Sequence, residues 1–173
     1  MAERFPARVR GVPADKWDTA TPCDGWVARD VVRHLAEWVP PMFAGTWGLA
    51  LPVIPSVDDD PVAAWDAVNA FCQSALDDAA VASDVRDTPM GTMSFEDAFA
   101  MIALSDVVIH TWDLAGGVGL GETLEPAEVA CLLGGMKELP AEMRGEWFGA
   151  VVEPPANADD QTRMLAYSGR KAF

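Results

Sequence analysis

The sequence predicts an all-α fold, a bundle of four or five amphipathic helices. Three observations carry that prediction. Apolar residues recur at helical spacing in several separate stretches. Helix-start chemistry stands in front of the longest of them, and the connections between them are modest in length, as helix bundles require. With 173 residues, half of them hydrophobic and 23% charged, the chain suits one domain, residues 1–173, with a substantial core, and it does not have the composition of a disordered segment. No internal repeat or low-complexity tract is visible.

Taken in order, residues 1–12 allow only a short helix, interrupted by Pro6 and closed by Gly11 and Pro13. Thr19 to Trp26 reads as an extended connection with a tight turn, because Pro22 disfavours a helical Thr21 and Asp24-Gly25 supplies turn chemistry. Val27, Val31, His34, Leu35 and Trp38 then follow a helical period, with acidic Asp30 in the first turn where it suits the helix dipole. Pro40-Pro41 is expected to end or kink that helix, with Met42 to Leu51 continuing it in a new direction. Asp60-Pro61 is a strong start for a helix reaching about residue 80. A turn-rich stretch from Asp84 to Met93 allows a short extended pair around Gly91. Ser94 opens the central helix, which is nearly all apolar and is expected to be buried and to end at Gly116-Gly117. A further helix is predicted from Pro126 to Leu139, with Pro140 ending it or kinking it before a second piece reaching Gly145. An extended, proline-rich tail follows, and then a brief helix from Asp159 to Ser168.

A formal net charge of −15 and twelve scattered basic residues exclude nucleic acid as a partner, since phosphate binding needs clustered Lys and Arg. The N-terminus has no apolar run of signal-peptide length, and no stretch approaches eighteen apolar residues, so no membrane association and a cytoplasmic location are expected. Cys23, Cys72 and Cys131 are odd in number, far apart and free of C-x-x-C spacing. They are expected to be reduced, partly buried thiols rather than zinc ligands or a disulfide framework.

The residues that carry chemistry cluster around Asp106 and His110. Four apart in a run without Gly or Pro, they stack on one helix face, with Cβ atoms roughly 5–6 Å apart. A carboxylate and an imidazole at that separation can chelate one divalent ion. The only other histidine, His34, lies on the inward face of a second helix and can supply a third ligand, leaving an open position. Imidazole–carboxylate ligation favours zinc or nickel. The other reading is an ordinary Asp–His pair beside an unrelated histidine, and spacing alone leaves both open. Asp30, near His34, and Asp113, three residues after His110, are candidates to accept imidazole N–H groups behind the ligands.

Several of these residues also carry a resemblance. Trp17, Thr21-Pro22-Cys23-Asp24-Gly25-Trp26, Arg29-Asp30-Val31-Val32-Arg33-His34-Leu35 and Asp106-x-x-x-His110-x-Trp112-Asp113-Leu114-Ala115 resemble an actinobacterial DinB-like metal-binding family. That family is related to the N-terminal domain of mycothiol-dependent maleylpyruvate isomerase. The tail, Phe148-Gly149-Ala150-Val151-Val152 with Asp160 to Arg170, is similar to the same group's ending. The resemblance implies a DinB-like four-helix bundle holding one divalent metal, with His34 and His110 at the family's histidine ligand positions. Asp106 stands where the family often has Glu or His, one methylene shorter than Glu.

It further implies a transferase or isomerase chemistry in which a low-molecular-weight thiol, mycothiol or a relative, adds to an electrophilic substrate. The separate C-terminal domain of full isomerases has no counterpart in these residues, so isomerase activity itself is not implied. Family members often begin earlier, so a short first helix is expected, with the tail or a second subunit completing the bundle. A homodimer is expected on that ground. A non-catalytic metal-binding or dimerising bundle is the competing class. No Ser–His–Asp order and no reactive cysteine context is seen, so no protein nucleophile is expected.

Overall fold

Helix-start chemistry works as the residue types dictate. Asp60 Oδ1 accepts the Ala63 N–H at 2.9 Å, and Pro61 takes the first helical position, where a missing N–H costs nothing. Ser94 Oγ likewise accepts the Asp97 N–H at 3.1 Å. The computed structural model describes residues 4–138 and 148–173. Along them run α1 (Arg4–Gly11), α2 (Ala28–Trp47), α3 (Pro61–Asp77), the single turn α4 (Ala79–Ala82), β1 (Val85–Thr88), β2 (Gly91–Ser94), α5 (Phe95–Val118), α6 (Pro126–Glu138) and α7 (Asp160–Tyr167). The fold is mostly helical, and the all-α expectation is corrected by one antiparallel hairpin, β1 pairing β2 with Thr88 opposite Gly91. The second piece expected from Pro140 to Gly145 lies outside the described residues.

One expectation is narrowed and another needs correction. Of the two outcomes expected at Pro40-Pro41, an end and a kinked continuation, the end is ruled out, because α2 runs through both prolines to Trp47. Each proline forfeits a backbone hydrogen bond, at about 3 kcal/mol. On either side, however, Val39, Phe43 and Trp47 are buried, and each contributes roughly 1.5–3 kcal/mol. Packing therefore outweighs the break. Gly116 and Gly117 do not end α5 either; Gly119 does, at φ 76°, with the Leu120 N–H bonded back to Ala115 O at 2.9 Å. Gly117 has a different task. A Cβ there would sit 2.9 Å from Thr21 Cγ2 and 3.1 Å from Ala20 O, so its hydrogen lets the 19–27 loop lie against α5.

α2 packs on α3 and α5, and α1 packs on the same two helices. Among these helices sits the larger core, with Phe5, Leu35, Phe43 and Phe95 fully buried. A second core gathers Ile109 and Trp112 of α5 with Leu133 and Met136 of α6 and Met164 and Leu165 of α7. α5 serves both cores. It has the length and composition of a membrane span, but 67% of that window is buried inside the fold. A π-helical segment, Phe99–Ala103, interrupts α5 between its aromatic start and the polar stretch that follows. Such wide turns frequently occur at functional sites.

Candidate metal centre

One turn of α2 and two turns of α5 bring the chemistry together. His34 and Trp38 are four apart on α2, so they share a face. Asp106 and His110 present the facing stripe of α5. His34 Nε2 lies 3.0 Å from Asp106 Oδ2, and His110 Nε2 lies 3.3 Å from Asp106 Oδ1. The ligand atoms of His34, Asp106 and His110 all fall within 4.8 Å of one another. The Trp38 indole donates to Asp106 Oδ2 at 2.9 Å. Behind His110, Nδ1 meets Asp113 Oδ2 at 2.9 Å, and Arg170 from the C-terminal segment pairs with that carboxylate through Nη2 at 2.9 Å and Nε at 3.3 Å. Asp113 is fully buried and His110 is 4% exposed.

The 19–27 loop supplies the roof. The Thr21 N–H bonds Trp26 O at 2.9 Å, and Gly25 turns the chain at φ 76°. The Trp26 ring stacks on His110 with centroids 5.6 Å apart and an interplanar angle of 18°. Cys23 is carried to the same place, with Sγ 3.8 Å from Arg170 Nη2. A cavity of about 390 Å³ opens above the two imidazoles, lined also by Cys23, Phe148 and Arg170.

The N-terminal half of this arrangement decides the comparison with known proteins. The family model for the mycothiol maleylpyruvate isomerase N-terminal domain matches residues 1–47. That stretch carries Trp17, Cys23, Trp26, His34 and Trp38 and stops well before Asp106 and His110. The resemblance read from the sequence is thereby shown over α1 and α2. Two uncharacterized proteins of Mycobacterium tuberculosis are each 27% identical to this chain over 124 residues, which is 72% of this chain. The chain spans 66% of the length of these curated relatives, just under two thirds. No solved structure matches it.

Relative to the isomerase N-terminal-domain family, the site residues named from sequence divide as follows. His34, Asp106 and His110 come together, and Asp113 lies against His110. Asp30 makes its hydrogen bonds elsewhere than His34. Its carboxylate accepts the Val27 N–H at 3.0 Å and pairs with Arg33, so its work is at the start of α2. Arg29 and Arg33 are occupied with Asp18 and Asp58. The cysteine expectation holds except at one position: all three thiols are free and Cys23 is partly buried, but Cys131 is exposed. Cys72 is buried, whereas Cys23 stands inside the cavity beside a histidine and an arginine. Sequence reasoning missed Cys23 and Arg170, because only a loop folded back onto α5 and a returning C-terminal segment bring them there. The available signals were the turn chemistry of Asp24-Gly25, for the first, and the place of both residues in stretches that carry the family resemblance, 21–26 and 160–170.

The charges are strongly coupled. Burial pushes the Asp106 carboxyl up, but the His110 and His34 imidazoles outweigh it and hold the group well below the usual carboxylate range. Burial favours a neutral His110. Asp106 and Asp113 on its two sides overcome that and raise its pKa well above the ordinary value. Asp113 is lowered, its burial outweighed by His110 and Arg170.

The donor set passes the test of fit for a divalent ion. Each imidazole Nε2 already lies 3.0–3.3 Å from an Asp106 oxygen, and all three ligand atoms fall within 4.8 Å of one another, a span one divalent ion can bridge. The far nitrogen of His110 is held by a buried carboxylate, the arrangement that fixes tautomer and ring orientation for metal-binding histidines.

Proposed function

We propose that this chain is a divalent-metal-binding protein that uses a low-molecular-weight thiol, mycothiol or a relative, in a transferase or isomerase-type reaction on an electrophile. One observation carries the reading: two imidazole Nε2 atoms and one carboxylate converge at the floor of a cavity large enough for a small organic substrate. Zinc or nickel suits two nitrogens and one oxygen. His34, Asp106 and His110 would hold the ion, and when bound it acts as a Lewis acid that favours thiolate at neutral pH. The chain's own residues do the rest. Asp113 and Arg170 fix the His110 ring, Trp26 covers it from water, and Arg170 places a positive charge in the cavity wall.

The packing of α1, α2, α3 and α5 in a closed ring supports reading them as the DinB-like four-helix bundle that the resemblance implies. A cytoplasmic location fits the thiol. The homodimer expectation rests on apolar surface left less well covered on the helices after the first. It needs a new footing, because Leu35 of α2, Val68 of α3 and Phe95 of α5 are fully buried within the chain. Exposed Leu51 and Val53 are the apolar surface it would use, and sedimentation at micromolar concentration tests it.

The test of function is elemental analysis of metal-reconstituted protein, followed by thiol consumption with a panel of electrophiles. About one ion per chain is expected, lost in His34→Ala and His110→Ala. Thiol turnover is expected to disappear on chelation. Unchanged metal content in both variants would sink the site.

A non-catalytic metal-binding bundle is the second reading. What favours it is that His34, Trp38 and His110 already satisfy Asp106 without any substrate. Stoichiometric metal with no thiol binding at millimolar concentration would select it.

A further inference from the structure

Among the described residues Asp106 has three partners, and they differ in what they can do when an ion arrives. His34 Nε2 and His110 Nε2 contact its two oxygens at 3.0 and 3.3 Å. Both are proposed ligands, and a ligating nitrogen carries no proton to donate. The third is the Trp38 indole, 2.9 Å from Oδ2. It is a donor only, it does not titrate, and it has no lone pair with which to ligate. Its hydrogen bond is therefore the one that persists when the imidazoles turn from the carboxylate to a metal. Trp38 is half-buried, one helical turn beyond His34, with ring centroids 6.2 Å apart. One helix thus brings both a ligand and the group that steadies the opposing ligand.

From this juxtaposition we infer that Trp38 is a positioning residue for Asp106: its N–H holds Oδ2, so that Oδ1 is the oxygen presented to the ion. The inference rests on the metal-binding reading and deepens it. Metal-ligating carboxylates are commonly steadied by such outer partners, whose loss lowers affinity 10- to 100-fold. The aspartate arm makes the dependence stronger. Asp106 has fewer torsions than a glutamate with which to recover its aim once the indole is gone.

The test uses the full chain and two variants, Trp38→Phe, which removes the N–H, and Trp38→Gln, which restores an N–H on a slimmer side chain. Zinc affinity is read by competition with a chromophoric chelator, and coordination by the visible spectrum of the cobalt(II)-loaded protein. Thermal midpoints of the metal-free proteins are read alongside. Trp38→Phe is expected to bind zinc roughly 10- to 100-fold more weakly with a shifted cobalt spectrum. Trp38→Gln is expected to recover part of both. Metal-free midpoints are expected to stay close to wild type, because Asp106 keeps both imidazoles there. Wild-type affinity and an unchanged spectrum in Trp38→Phe overturn the inference and leave the metal reading standing. Failure of Trp38→Gln to recover anything, or collapse of the metal-free fold in Trp38→Phe, overturns it in favour of a packing role. A wild-type protein that binds no zinc overturns the metal reading itself.

Discussion

α2 and α5 meet twice, and the two meetings are opposites. At one end Phe43 and Trp47 of α2 mesh with Phe95 and Phe99 of α5, Phe43 lying 5.2 Å from Phe95 and 5.5 Å from Phe99 between ring centroids. At the other end His34 and Trp38 meet Asp106 and His110 in a hydrogen-bonded network with Asp113 and Arg170 behind. The aromatic end removes apolar surface from water and is nearly indifferent to pH. The polar end takes charges out of water, which costs several kcal/mol per ion before the pairing offsets it. Such a network is weak evidence of stability and good evidence of use. The comparison teaches that one helix pair divides its labour along its length, with the π-helical segment of α5 between the two tasks.

The largest effect is expected from breaking the aromatic end. Phe43→Ala leaves a cavity among Trp47, Phe95 and Phe99 and should cost about 3–5 kcal/mol, read as a lower urea midpoint. The folded fraction should still bind metal. Loss of metal at full folding would mean that the two ends are not separable.

Next comes the roof of the polar end. Gly117→Ala gains up to about 1 kcal/mol of helix propensity. The new methyl presses on Thr21 Cγ2 and on backbone at Ala20 O, at an expected cost of about 1–3 kcal/mol. The net outcome should be a destabilised protein with weaker protection of the 19–27 amides in hydrogen exchange. A stabilised variant would show that the loop yields freely.

The pH response sharpens the comparison, because the polar end should supply its slopes. Asp106 and Asp113 are depressed in the fold. Their contribution is present above the unfolded carboxyl value of about 3.9 and is lost as pH falls through the folded values. His110 is raised, so its contribution is complete below about pH 6.5 and is lost as pH rises toward the folded value. The metal-free urea midpoint should be highest between about pH 4 and 6.5. In His110→Gln the alkaline slope should flatten, and an unchanged slope would assign it elsewhere.

The smallest effect concerns thiols. Exposed Cys131 should react at once with a thiol reagent near neutral pH. Cys72, buried near the aromatic end and pushed up to about 12 by that burial, should react only on unfolding. Rapid labelling of Cys72 would show that this end opens locally.

Much of this was legible because it is periodic. Val31, Leu35, Phe95 and Ile102 declare their faces by helical spacing, and Asp106 with His110 declare a chelating pair by the same rule. What escaped was whatever packing decides against local preference. Pro40-Pro41 reads as a stop or a kink, and the buried residues flanking it carry the helix through. Gly116-Gly117 reads as an end, yet Gly117 is a gap left for Thr21. The candidate site was half legible for a related reason. Its helix-borne members follow a period, whereas Cys23 and Arg170 arrive from irregular chain, where no period exists to read.

The partners at the centre are distant along the chain. Trp38 and Asp106 are 68 positions apart, Asp113 and Arg170 are 57 apart, and Cys23 and Arg170 are 147 apart. At equilibrium such separation costs little, since each doubling of a loop adds only about 0.6 kcal/mol. In time it costs more, because long-range contacts slow folding where helices alone form in microseconds. The centre is thus a late product of assembly, complete only when everything from Cys23 to Arg170 is in place. Binding at it reports finished folding, not helix formation.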